Sequence, residues 1–224
     1  MKKRDKLAPP FRDEYADVNG VRLHYVSTGR GKPILFLHGF PEFWYCWKNQ
    51  LEHFGKDYMA LALDMRGSNL SSKPADAHQY RLETLAEDLK GLTVRLGLKK
   101  LTAVGHDWGG VTAWVFANRY PEYLEKLIII NAPHPGLFAR ILAAKPEQQQ
   151  ASQYMLYFRS PDAEKILSEN NYARLFMAML GNRGGANYSL SLEDKKKYVQ
   201  AWSQPGALTG GLNYYRAAPY TSLV

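Results

Sequence analysis

Asp107 is the residue of this 224-residue chain best placed to do chemistry, because of its setting, Gly105-His106-Asp107-Trp108-Gly109-Gly110. A carboxylate on a sharp turn between a strand and a helix can attack carbon directly and form an ester, which a second step must hydrolyse. Such a turn is strained, and small residues on both sides let strand and helix approach closely. The glycines at 105 and 109 meet that need. A helix N-terminus also favours the ionised carboxylate. An aspartate in this position can act simply as a helix cap, but the glycine spacing and the strand before it favour a nucleophile elbow.

A second segment points at the same place. His38-Gly39-Phe40-Pro41 follows a short apolar run, and a loop there can aim the Phe40 N–H alongside that of Trp108. Two such donors form an oxyanion hole, typically about 3–4 kcal/mol each. His38 reads as a brace of this loop rather than a catalyst.

The elements that must position these groups follow a regular rhythm. Strands flank Asn19-Gly20, a strong hairpin signal because both residues tolerate positive φ. Buried strands are expected over Pro33–Leu37, Tyr58–Leu63, Leu101–Gly105 and Leu127–Ile130. Leu82, Leu85, Leu89, Leu92 and Leu96 recur at helical spacing up to Gly97, and a second helix is predicted over Gly109–Arg119, before Pro121. Strands alternating with amphipathic helices imply a mainly parallel, doubly wound α/β sheet. After Pro133-His134-Pro135 the pattern becomes helical throughout: Leu137–Ala144, Gln148–Phe158, Ala163–Glu169, Tyr172–Leu180 and Leu192–Trp202. The expected organisation is core over 1–134, helical cap over 135–217, and the start of a return to the core over 218–224.

Composition narrows the function classes. Hydrophobic residues make up 46% and charged residues 22%, ordinary for a globular protein, while 15 Tyr and 5 Trp suit both a core and an apolar pocket. The net charge of +8 includes the opening MKKRDK, expected to be a solvated tail, and a short cluster at Lys195, Lys196 and Lys197. The remaining basic residues are dispersed, which argues against nucleic-acid binding. No apolar run approaches the roughly 18 residues of a membrane span. The single cysteine, Cys46, excludes an internal disulfide and fits the cytoplasm.

The combination HGFPE (38–42), DMRG (64–67), SSKP (71–74), GHDWGG (105–110) and NAPHP (131–135) resembles the epoxide hydrolases of the α/β-hydrolase superfamily, relatives of the haloalkane and haloacetate dehalogenases. The likeness covers nearly the whole chain. Haloalkane dehalogenases usually carry Asn where Phe40 stands, and haloacetate dehalogenases usually follow the nucleophile with Arg rather than Trp108, so the epoxide reading gains. The resemblance implies Asp107 as nucleophile, and Phe40 and Trp108 as oxyanion hole. It further implies His38, Pro41 and Trp108 as substrate-binding residues, with no metal and no organic cofactor. The cap segments QYMLYF (153–158) and LNYYR (212–216) resemble those carrying the two tyrosines that protonate the epoxide oxygen. By that likeness they are Tyr154 and Tyr215, with Tyr157 and Tyr214 as alternatives. The partners implied are a small apolar epoxide and water; a homodimer is open.

One part of the family machinery has no counterpart. The six histidines, at 24, 38, 53, 78, 106 and 134, all precede the cap, whereas the family's general base and its orienting acid follow it. Asn131 takes the place where some relatives carry that acid. Two further strand–helix units would need roughly 60 residues, so the last strands and helices are expected to be missing, the last strand to be left with an unpaired apolar edge, and the ester to form without turning over. Two other readings stand beside the epoxide hydrolase. One is a dehalogenase acting on a haloalkane or haloacid, and the other is a non-catalytic protein holding a small apolar ligand under the lid.

Overall fold

The computed structural model describes residues 10–180 and 190–218. The expected N-terminal tail and all but the first residue of the 218–224 return lie outside them.

β1 (Arg12–Val18) and β2 (Val21–Thr28) form the expected antiparallel hairpin, closed by Asn19 and Gly20, both at positive φ. They join β3 (Pro33–Leu37), β4 (Met59–Leu63), β5 (Leu101–His106) and β6 (Leu124–Ile130) in one six-stranded sheet, ordered β1-β2-β4-β3-β5-β6. β2 pairs antiparallel with β4, and every later pairing is parallel.

Alternation along each strand divides the core into two layers. Val26, Ile34, Phe36, Ala60, Ala62 and Val104 face α1 (Lys48–Phe54), packing on Trp47 and Leu51. Leu35, Leu37, Leu61, Leu63 and Ala103 share the other cluster with Leu85, Leu89 and Leu92 of α2 (Leu82–Arg95) and Phe116 of α3 (Trp108–Arg119). Fully burying each such leucine contributes about 1.5–3 kcal/mol. A sheet covered on both faces needs continuous apolar strands, as PILFL and MALAL are.

β6 departs from expectation. It is half-exposed rather than the buried strand its apolar residues suggest, with Ile128 at 46% and Ile130 at 38%, and carries the unpaired apolar edge expected of the last strand, since among the described residues only β5 pairs with it.

From Pro135 onward the described chain is helical: α4 (Pro135–Ala144), α5 (Pro146–Ala151), α6 (Tyr154–Arg159), α7 (Ala163–Leu180), α8 (Leu192–Trp202) and α9 (Ala207–Ala217). The single helix expected over Gln148–Phe158 is split at Ser152 and Gln153, between α5 and α6, where the buried Ser152 hydroxyl accepts from the Gln148 side-chain amide at 2.9 Å. α7 is interrupted at Glu169–Tyr172, where Asn170, Asn171 and Tyr172 are left-handed. That break separates the two helices expected there. α8 starts on a capping box between Ser191 and Asp194.

α9 was not foreseen, since Gly210-Gly211 is a poor helix interior. Packing requires those glycines. A Cβ on Gly210 would stand 2.4 Å from the Gly67 carbonyl oxygen, and one on Gly211 would stand 2.5 Å from the Phe40 ring. None of the described helices is long and apolar enough to cross a membrane.

Candidate active site

β5 delivers the chain to the elbow and α3 leads it away. Asp107 sits between them at φ 52°, ψ −126°, a region that costs a non-glycine residue about 1–3 kcal/mol. The surrounding glycines make the turn feasible. A Cβ on Gly105 would lie 2.6 Å from the Gly109 carbonyl oxygen, and one on Gly109 would lie 2.4 Å from that of Leu37. The Asp107 N–H donates to the Ile130 carbonyl at 3.3 Å, tying the elbow to the end of β6.

The carboxylate meets both expected donors. Phe40 N–H donates to Asp107 Oδ1 at 2.9 Å, and the Trp108 N–H also bonds the carboxylate. Burial pushes the carboxyl above the ordinary aspartate value, while these two bonds pull against that rise.

The donor loop is a tight turn, with Glu42 N–H donating to the Gly39 carbonyl at 2.9 Å around Phe40-Pro41. His38 braces it from inside. Its Nδ1 donates to the Gly39 carbonyl at 2.8 Å and its Nε2 accepts from the Met65 N–H at 3.0 Å. Those two bonds fix the tautomer, and burial lowers the ring's pKa, so His38 stays neutral. Because the Gly39 carbonyl and the Phe40 N–H belong to one peptide plane, holding the first aims the second.

Two clefts open above Asp107. One, of about 480 Å³, runs along Trp108, Val111, Asn131, Phe138 and Met155. The other, of about 860 Å³, runs along Phe40, Pro41, His106, Phe158 and Met179. Tyr154 and Tyr215 line both. Their rings stand 6.2 Å apart at 80°. Tyr215 is buried against Trp108, Phe40 and Phe158, at 5.1, 5.7 and 4.9 Å between ring centroids. Tyr154 is 51% exposed. Burial raises the pKa of each, and the charge of Asp107 raises it further, so both keep their protons at neutral pH. The Trp108 indole donates to the Tyr215 hydroxyl.

The two alternative tyrosines point elsewhere. Tyr214 Oη donates to the Arg66 carbonyl at 2.7 Å, and Tyr157 Oη is buried with no hydrogen-bond partner among the described residues. Of the residues expected to bind substrate, Pro41 and Trp108 line the Asp107 clefts. His38 instead lines a separate small hollow behind Phe40, with both ring nitrogens already occupied.

The sequence reading used DMRG (64–67) only as a likeness, and the structure gives it work. Asp64, fully buried, accepts from Trp44 N–H, His24 Nδ1 and Asn69 Nδ2 at 2.9, 2.7 and 2.7 Å. Arg66 forms a buried two-point pair with Asp88 of α2, each contact 2.7 Å. The loop thus links sheet, α2 and α9. Asn131 and His106, both at the nucleophile, were not singled out as site residues. Asn131 is left-handed directly after β6, a turn that a strand followed by Asn signals.

Known proteins resemble this chain in sequence and fold. The model of the alpha/beta hydrolase fold family matches residues 32–221. An AB hydrolase superfamily protein of Bacillus subtilis is 45% identical over 94% of this chain and 74% of its own length. Epoxide hydrolase 4 of Mus musculus is 43% identical over 88% of this chain, which spans 57% of that relative. The crystal structure of an epoxide hydrolase from Bacillus megaterium with an inhibitor superposes with a TM-score of 0.83 at 40% identity, over 91% of this chain and 71% of that one.

Proposed function

This chain belongs to the α/β-hydrolase fold family, and on that premise we propose that it opens epoxides to vicinal diols through a covalent ester on Asp107. The observation that carries the reading is the convergence at one carboxylate. Two backbone N–H groups hold Asp107, and two protonated tyrosines share its clefts.

In the first step a carboxylate oxygen of Asp107 attacks an epoxide carbon. The carbon–oxygen bond of the ring breaks, and its electron pair passes to the epoxide oxygen, which takes a proton from Tyr154 or Tyr215. In the second, water adds to the ester carbonyl and the charge that develops is held by the N–H groups of Phe40 and Trp108. Removal of a proton from that water needs a base. Five of the six histidines contact other partners: His24 the carboxylates of Asp64 and Asp13, His38 its own loop, His53 the Phe54 ring, His78 Arg81 and His134 Asn118. The sixth, His106, lines a cleft beside Asp107, but among the described residues no carboxylate is hydrogen-bonded to its ring to orient it, so slow hydrolysis and an accumulating ester are expected. The substrate would be a small apolar epoxide, since Phe40, Val111, Phe138, Met155 and Phe158 line the clefts. The proposal also places the protein in the cytoplasm and leaves a homodimer open.

The test is intact-mass analysis after incubation with a small aryl epoxide. An adduct of one substrate mass, on the peptide holding Asp107 and absent from Asp107→Asn, is expected. Labelling that survives Asp107→Asn would sink the proposal.

A further inference from the structure

The oxyanion turn is held through the carbonyls of Gly39, Pro41 and Glu42, the last by Ser68 Oγ at 3.3 Å, and the hold on Pro41 comes from the cap. His38 and Glu42 N–H hold its first carbonyl, that of Gly39. The carbonyl of Pro41 is instead taken by the indole Nε1–H of Trp202, at 2.6 Å and buried from solvent. Trp202 is the last residue of α8, 161 positions along the chain from Pro41.

The indole is itself held firmly. Its ring packs on Phe176 at 4.7 Å, Tyr198 at 5.4 Å and Tyr172 at 5.6 Å. α8 is anchored to the same stretch of core at two further points. Tyr198 Oη donates to the Glu42 carboxylate, and Asp194 accepts from Lys48 at 2.7 Å and from Tyr45 Oη at 2.7 Å. The clasp of Lys48 and Asp194 is strong enough to drive the lysine pKa up and the aspartate pKa down. The side-chain contacts of α8 on the turn therefore fall on Pro41 and Glu42, just beyond the amide that faces the nucleophile.

We propose that Trp202 is a positioning residue for the Asp107 site: through the Pro41 carbonyl it holds the oxyanion turn so that the Phe40 N–H stays aimed at Asp107 Oδ1. The inference rests on the epoxide reading only for its kinetic arm. Without the bond to Pro41 the turn is held at its two ends, at the Gly39 carbonyl and at Glu42 by Ser68 and Tyr198, so the Phe40-Pro41 corner between them can rock, and rocking lengthens the 2.9 Å bond from Phe40 to the carboxylate. The cap then contributes the site's upper wall and also the alignment of its oxyanion donor. The chemistry depends on the seating of α8, so cap and core act as one unit.

The test removes only the indole donor. Trp202→Phe does so at some cost in volume. Replacement of Trp202 by its sulfur isostere, benzothienylalanine, does so at nearly constant shape and guards against a folding defect. Two quantities are read in each: the titration midpoint of the Asp107 carboxyl, by carbon-13 NMR with Asp107→Asn assigning the signal, and the rate and half-saturation of labelling by an aryl epoxide.

The Phe40 bond favours the ionised carboxyl, so loosening it raises the midpoint, by roughly half a pH unit. The other groups facing Asp107, namely His106, His38, Tyr154 and Tyr215, are unchanged in both variants. Maximal labelling falls about tenfold with half-saturation unchanged, against the ~100-fold that a misplacement of roughly 1 Å costs. Tyr172→Phe, which touches the indole ring but no part of the turn, leaves both quantities alone. An unmoved midpoint in the isostere-bearing protein overturns the proposal. A raised midpoint in a chain that takes no label upholds the positioning role and removes the epoxide reading instead.

Discussion

Gly39→Ala asks the most of the geometry at Asp107. The backbone of Gly39 is not in the left-handed region, so alanine meets no conformational penalty there, but its Cβ would stand 2.2 Å from Asp107 Oδ1, 2.3 Å from Cβ and 2.6 Å from Cγ. Ordinary contact starts near 3.4 Å, so the carboxylate must retreat by roughly 1 Å, and the Phe40 bond at 2.9 Å cannot survive that retreat. Misplacement of the nucleophile on this scale costs about 100-fold, and loss of an oxyanion donor costs a further 100- to 1,000-fold, approximately, in the ester-hydrolysis step. Ester formation on Asp107 is therefore expected to fall at least ~100-fold. Overpacking of a filled site destabilises by about 1–3 kcal/mol, or roughly 2–12 °C in Tm for a chain of this size.

Gly97→Ala supplies the contrast. Gly97 has φ +65° and open space within 4 Å of the added carbon, so alanine strains the backbone by about 1 kcal/mol without touching the site. Time courses of adduct formation by intact mass, with thermal unfolding on the same samples, separate the two. If Gly39→Ala labels as fast as the parent, the placement of Asp107 against the 38–42 loop is wrong.

Two further predictions rest on single contacts. Tyr154→Phe and Tyr215→Phe together should slow ester formation by about 100-fold or more, the lower range for a general acid, whereas Tyr214→Phe should leave the labelling rate intact. Tyr214→Phe should instead cost about 1–3 kcal/mol, because the Arg66 carbonyl loses its buried donor; a labelling defect there would reverse the assignment of the two tyrosines. His24 predicts a pH dependence. Burial alone would lower its pKa, but the bonds to Asp64 and Asp13 outweigh burial and raise it above 6.5. The stability it contributes is complete below that value and drains away as pH rises through the raised one. His24→Gln should therefore flatten the decline in stability above pH 6.5, and an unchanged profile in chemical denaturation would refute the assignment.

Much of this molecule was legible in its sequence, for local reasons. Asn19-Gly20 closes a hairpin because few other residues adopt positive φ freely, and PILFL and MALAL are apolar throughout because both faces of their sheet are covered. Asp107 was legible because an elbow demands glycines at fixed offsets. Tertiary structure decided whatever depends on a distant partner. Tyr214 and Tyr215 are neighbours of one type on one helix, and only the packing of α9 against the 64–67 loop sends the first to Arg66 and leaves the second at the nucleophile. Gly210-Gly211 reads as a helix breaker until Gly67 and Phe40 are seen pressed against it. β6 reads as buried because its residues are apolar, yet exposure is set by what pairs alongside. The bond from Trp202 to Pro41 left no pattern in the chain, since a contact between residues 161 positions apart is specified by the fold as a whole and not by any spacing.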